Sequence, residues 1–230
     1  MNYPLQTFLA KNFNGLILSP ALFYSWKPGI RFEISNPALS AHDPSYMVQA
    51  HHRAVALFNA LFADKDELLL VADIIARPTS SILKQKPLNL YRKYVKDKRS
   101  LYQLQLETFS YGEYLEEEFD EEDAMAIHRF SLKCKKTDLR FVQLLQAICY
   151  EDFNHPTTIL KNNPESGIEV YFINLSKQLI FHLYDDRGCD VLAADQENIR
   201  FLYEQYNDWI LDYDRHEIDA MFQKGAADIS

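Results

Sequence analysis

Apolar residues recur along this chain with two periods, and those periods place its elements. Leu5, Phe8 and Leu9 share one face of a helix expected from Tyr3 to about Asn12, with Asn2 as its cap. Ile30 to Ile34 alternates, which predicts a strand with Arg31 and Glu33 on one face. Asp43-Pro44 opens a helix as N-cap and first helical residue. Val48, His52, Val55, Phe58 and Phe62 follow at helical spacing. Glu67 to Ala76 is a short, β-rich apolar run and reads as a buried strand. Arg77 to Leu90 reads as a loop, Tyr91 to Lys98 as a short helix and Leu101 to Ser110 as an alternating strand. His128 to Lys135 is a further strand, with Phe130, Leu132 and Cys134 on one face. Thr137 is placed as the cap of the next helix, with Asp138 in its first turn. Leu139, Val142, Leu145, Ile148 and Cys149 form that helix's stripe, and His155-Pro156 ends it.

The last third has the clearest pattern. Glu169 to Leu175, Gln178 to Tyr184 and Cys189 to Ala194 read as a three-strand meander, apolar on both faces and therefore expected mid-sheet. The turn Asp185-Asp186-Arg187-Gly188 carries glycine where a positive φ is expected. Asp195 caps a helix bearing Ile199, Leu202, Tyr206 and Ile210. Asp214 with Glu217 forms a capping box for a final helical turn, with Tyr213 and Ile218 as its hydrophobic staple. The fold class is α+β: a mixed or antiparallel sheet with helices packed on it, and a C-terminal three-strand meander followed by a helix. One domain spanning 1–230 is expected. An N-terminal lobe, 1–155, and a C-terminal lobe, 167–224, would join at a linker rich in Asn, Pro and Gly.

Composition narrows this. The 230 residues are 47% apolar and include 15 Phe and 14 Tyr, enough for a sizeable core. The apolar run from Leu68 to Ala76 is too short to cross a bilayer, and Met1-Asn2-Tyr3-Pro4 does not open a signal peptide. Cys134, Cys149 and Cys189 are odd in number and widely spaced, which suits buried thiols in a reducing cytoplasm. The formal charge of −9 repels nucleic acid and anionic lipid and favours a basic protein partner.

Six glycines, no two closer than fourteen residues, exclude a dinucleotide loop and a Walker-type loop, and no cofactor is implied. Asp185, Asp186 and Asp190 could hold a hard cation, or serve turn hydrogen bonding alone. Asp208, Asp212 and His216 are spaced by four, as on one helical face, and could bind a metal or pair locally. Seven Lys or Arg between Lys84 and Arg99 are offset by seven acids between Glu116 and Asp123. His51 and His52 point apart on a helix, and His182 reads as a hydrogen-bonded core residue.

Two stretches, YDDRGCDV from Tyr184 to Val191 and LYEQYNDWILDYDRHEID from Leu202 to Asp219, resemble the bacterial domain-of-unknown-function family 3885. The resembling domain is expected over Leu179 to Phe222 alone. Trp26 to Ile34 and Leu57 to Phe62 are similar to the upstream part of its longer members. The resemblance implies a bacterial cytoplasmic protein and supplies no activity.

Two functional readings follow. One is a non-catalytic, immunity- or antitoxin-like interaction protein that masks a basic effector. The other is an enzyme or small-ligand binder whose site lies between the 184–190 turn and the 206–215 segment. The candidate binding residues are Arg31, Asp186, Arg187, Asp208, Trp209, Asp212, Tyr213 and Arg215.

Overall fold

The computed structural model describes residues 4–76, 89–110, 125–159 and 167–223. The strands are β1 (Gly29–Glu33), β2 (Glu67–Ala76), β3 (Gln105–Ser110), β4 (Ala126–Lys135), β5 (Gly167–Asn174), β6 (Leu179–Leu183) and β7 (Gly188–Ala193). The helices are α1 (Pro4–Asn12), α2 (Pro44–Leu61), α3 (Asn89–Tyr94), α4 (Phe141–Cys149), α5 (Glu197–Gln205) and α6 (Arg215–Gln223). These strands join in one antiparallel sheet of order β1-β7-β6-β5-β2-β4-β3. The architecture is α+β, and the C-terminal meander lies inside the sheet, which is why both its faces are apolar. Strands from either side of residue 155 are interleaved in it.

Because side chains alternate along a strand, one face carries Leu68, Leu70, Phe130, Phe172, Phe181 and Val191. This face packs on α2, α4, α5 and α6. Phe58 of α2 sits at its centre, with ring centroids 5.0 Å from Phe172 and 4.8 Å from Phe141. Asp43 caps α2 by accepting from the Ser45 N–H at 2.8 Å. The buried stripe of α2 is Tyr46, Ala50, Ala54, Leu57, Phe58 and Leu61; of the expected stripe Phe58 and Phe62 are buried, whereas His52 is exposed and Val48 is 69% exposed.

On the opposite face, α1 and the following loop cover Leu69, Val71, Ile173, Ile180 and Leu192. Beside this patch runs a polar row that crosses every strand. Arg31 opposes Asp190, which opposes His182. Glu169 opposes Asp73, Asp73 opposes Arg129, and Arg129 opposes Glu107. A 2.7 Å hydrogen bond between His182 Nε2 and Glu169 Oε2 joins the two halves.

Several local expectations give way. Residues Lys98–Gln103 form a 3-10 helix, capped by Asp97 accepting from the Arg99 N–H, and strand begins only at Gln105. Thr137 caps nothing; it lies in the 3-10 turn Lys136–Asp138, whose Asp138 carboxylate accepts from the Lys135 N–H. An antiparallel bridge to Val95 then holds Leu139 extended, which delays α4 to Phe141. Gly188 has no positive φ; a Cβ there would stand 2.5 Å from Tyr184 Oη and 2.8 Å from the Phe32 carbonyl oxygen. Tyr213 is 85% exposed and staples nothing, while Asp214 is buried and accepts from Tyr24 Oη at 3.0 Å instead of capping through a box. Asp208, Asp212 and His216 fall in two 3-10 turns and α6, so they do not share one helical face. The expected Asn2 cap, positions 77–88 of the expected loop and the acidic run from Glu116 to Asp123 lie outside the described residues.

Candidate functional site

Two clefts flank the turn between β6 and β7. The more polar one, about 380 Å3, opens on the polar-row face of the sheet. Arg31 of β1 and Glu169 of β5 reach it from the sheet, and Tyr184, Asp185 and Arg187 from the turn. Glu151 and Asp152 reach it from the segment after α4. The second cleft, about 400 Å3, is lined more by apolar groups, among them Phe32, Pro37, Leu39 and Leu211, together with Tyr46, Tyr184 and Arg187. Tyr184 and Arg187 therefore wall both.

The cations of the polar cleft are already engaged. Arg31 donates from Nε to Asp190 Oδ1 at 2.7 Å and from Nη2 to Asp190 Oδ2 at 2.9 Å, and stacks 4.6 Å from the Tyr24 ring centroid. Asp190 also accepts the Phe23 N–H at 3.0 Å. Arg187 donates Nε to Asp185 Oδ2 at 2.6 Å, its Nη2 also reaches that oxygen, and Asp152 lies 3.4 Å away. Its backbone N–H donates to Asp185 Oδ1 at 2.7 Å, so the turn is closed without the guanidinium.

The acids are less well compensated. Burial pushes the Glu151 carboxyl up to about 8, and Glu169, Asp152 and Asp185 push the same way. Glu169 has His182 as partner. The His182 ring is fully buried and its Nδ1 has no hydrogen-bond partner among the described residues, which fits the tautomer carrying its proton on Nε2. Asp152, Asp185 and Asp186 offer carboxylate oxygens within 4.8 Å of one another. Asp186 accepts from Tyr46 Oη at 2.5 Å, and burial raises its pKa.

Of the eight candidate binding residues, Arg31 and Arg187 line the clefts and Asp186 lies in the turn between them. The others do not line either cleft. Arg215 ties a turn together by donating to Asn207 Oδ1 and to the carbonyls of Asn207 and Ile210, and pairs with exposed Asp212 at 3.1 Å. Trp209 packs on Tyr206 and under Arg53, 5.0 Å from its ring centroid. Asp208 and Tyr213 are exposed. Glu151, Asp152 and Glu169 were missed. A lone acid inside the apolar strand sequence Ile168 to Ile173 was the available signal for Glu169; Glu151 left none.

Fold and site together define an α+β protein with an acidic cleft walled by a strand-to-strand turn. The chain belongs to the family of the domain of unknown function DUF3885, whose model matches residues 5–214. That match corrects the expectation of a domain confined to Leu179–Phe222, and it takes in every residue lining the polar cleft. The chain is similar to the uncharacterized protein YnaE of Bacillus subtilis (strain 168), 31% identical over 217 residues that cover 90% of this chain and 96% of that protein. No solved structure matches. No helix among the described residues is long and apolar enough to cross a membrane.

Proposed function

We propose that this chain is a non-catalytic cytoplasmic binding protein whose acidic cleft receives an ammonium or guanidinium group of a basic partner protein. The observation that carries the reading is the charge imbalance of the cleft. Arg31 is held by Asp190, and Arg187 by Asp185 with Asp152 at 3.4 Å, which leaves Glu151 and Glu169 without a Lys or Arg partner among the described residues that line it. Carboxylates crowded in a half-buried site repel one another, and an incoming cation relieves that repulsion. The net charge of −9 steers basic partners toward the surface. An immunity- or antitoxin-like protein that masks a basic effector works in this way. The test is calorimetric titration with an arginine- and lysine-rich peptide at low and high salt. Saturable binding that weakens with salt and with Glu169→Gln or Asp152→Asn supports the reading. No binding to the peptide, with no partner retained in a low-salt pull-down from the host, sinks it.

A second reading, a small-ligand binder or acid–base enzyme, draws on the same cleft. There a carboxyl held protonated near neutral pH, Glu151, lies in one cleft with Glu169, which is oriented by His182. Turnover or saturable binding in a screen of small amines, lost in both Glu151→Gln and Glu169→Gln, would favour it over the first.

A further inference from the structure

Arg187 is placed like a ligand. Its guanidinium sits against Asp185 and Asp152, yet the side chain is 69% exposed, and the turn that bears it is already closed through the backbone N–H. It walls both clefts. The contact with exposed Asp152 is a surface pair that contributes little, and buried Asp185 keeps the Arg187 N–H as a partner when the guanidinium leaves. Nε and Nη2 converge on one oxygen of Asp185 while Nη2 faces Asp152, so the seat suits a group with several donors in one plane, which a guanidinium supplies and a point-charge ammonium does not.

We infer that Arg187 is the chain's own stand-in for its ligand: its guanidinium holds the Asp185–Asp152 seat until a guanidinium from the partner displaces it. The inference rests on the cation-binding reading of the cleft and narrows the ligand to arginine chemistry. Arg187 then sets the threshold for binding. A weak or wrongly shaped cation fails to dislodge it, whereas a guanidinium presented by a docked partner succeeds because it arrives with other contacts. A substitution that removes this residue should strengthen binding, the reverse of what a residue contacting the ligand would show.

The experiment titrates agmatine, and separately a tri-arginine amide, into the full chain and into Arg187→Gln and Arg187→Lys, each checked for native melting. Both variants are expected to bind tighter by about threefold or more, because the competitor for the seat is removed or weakened. Arg187→Lys keeps the charge and loses the fork, so tightening there separates displacement from a simple gain of negative charge. In the wild-type chain, the Arg187 Nε–H resonance should lose its protection from solvent exchange as the site saturates. Tightening in the Gln variant alone, unchanged or weaker binding in both, or an Nε–H that stays protected at saturation overturns the inference and leaves the cleft reading standing. Absence of binding to all three proteins overturns that reading and this inference with it. Tightening seen with magnesium or manganese in place of agmatine overturns the ligand class.

Discussion

Arg31 and Asp190 face each other across β1 and β7, and two guanidinium nitrogens close on one carboxylate at 2.7 and 2.9 Å with both side chains out of solvent. Removing one partner strands the other charge where little water reaches. Asp190→Asn should therefore cost about 3–5 kcal/mol in urea unfolding, whereas the double replacement Arg31→Met with Asp190→Leu should cost clearly less. Equal losses in the single and double variants would contradict this.

Gly188 is constrained by space. An alanine Cβ would meet Tyr184 Oη at 2.5 Å and the Phe32 carbonyl at 2.8 Å. Gly188→Ala should destabilise by about 1–3 kcal/mol. Adding Tyr184→Phe removes the shortest contact and leaves the ring Cζ at 3.0 Å, so the double variant should recover part of the loss, a coupling that a double-mutant cycle reads directly.

Glu151 makes stability depend on pH in a definite direction. Its folded-state pKa is raised to about 8, above its unfolded value, so the folded chain holds a proton that the unfolded chain gives up. This contribution is nil below the unfolded value, turns increasingly unfavourable as pH rises toward 8, and levels off beyond. Glu151→Gln should flatten that slope and raise stability above about pH 8 by about 1–2 kcal/mol, allowing for solvent screening. Thermal melts across pH 5 to 9 test it, and parallel profiles for the two proteins would refute it.

Tyr213 and Asp214 are neighbours with opposite fates. Tyr213→Ala, at an exposed position, should change stability by no more than about 0.5 kcal/mol. Asp214→Ala removes the acceptor of Tyr24 and a carboxylate 3.7 Å from Arg31, and should cost about 1–3 kcal/mol. A chemical-denaturation series over both variants checks the ordering.

Periodicity made the sheet core legible, because burial acts on every second residue. Glu67 to Ala76 and the C-terminal meander were readable for that reason, and Asp43-Pro44 announced α2 through its cap. Polar side chains with more than one candidate partner were not legible. Asp138 reaches back to Lys135 rather than supporting a cap at Thr137, and Asp214 turns inward to Tyr24 rather than toward its own helix. The cleft was half legible. The turn announced itself through Asp185, Asp186 and Arg187. Glu151 and Glu169 arrive from segments distant in sequence, and only the packing of α4 and β5 brings them there.

The placement of β1 beside β7 sets a timetable for the growing chain. Arg31 leaves the ribosome 159 residues ahead of the carboxylate that neutralises it. At about 5–20 residues per second, that separation corresponds to roughly 8–30 seconds in which β1 has no strand to join. During that interval an unpaired ribbon and an unmatched guanidinium are open to any acidic surface nearby. Closure of the sheet therefore waits until the segment bearing the cleft's turn emerges.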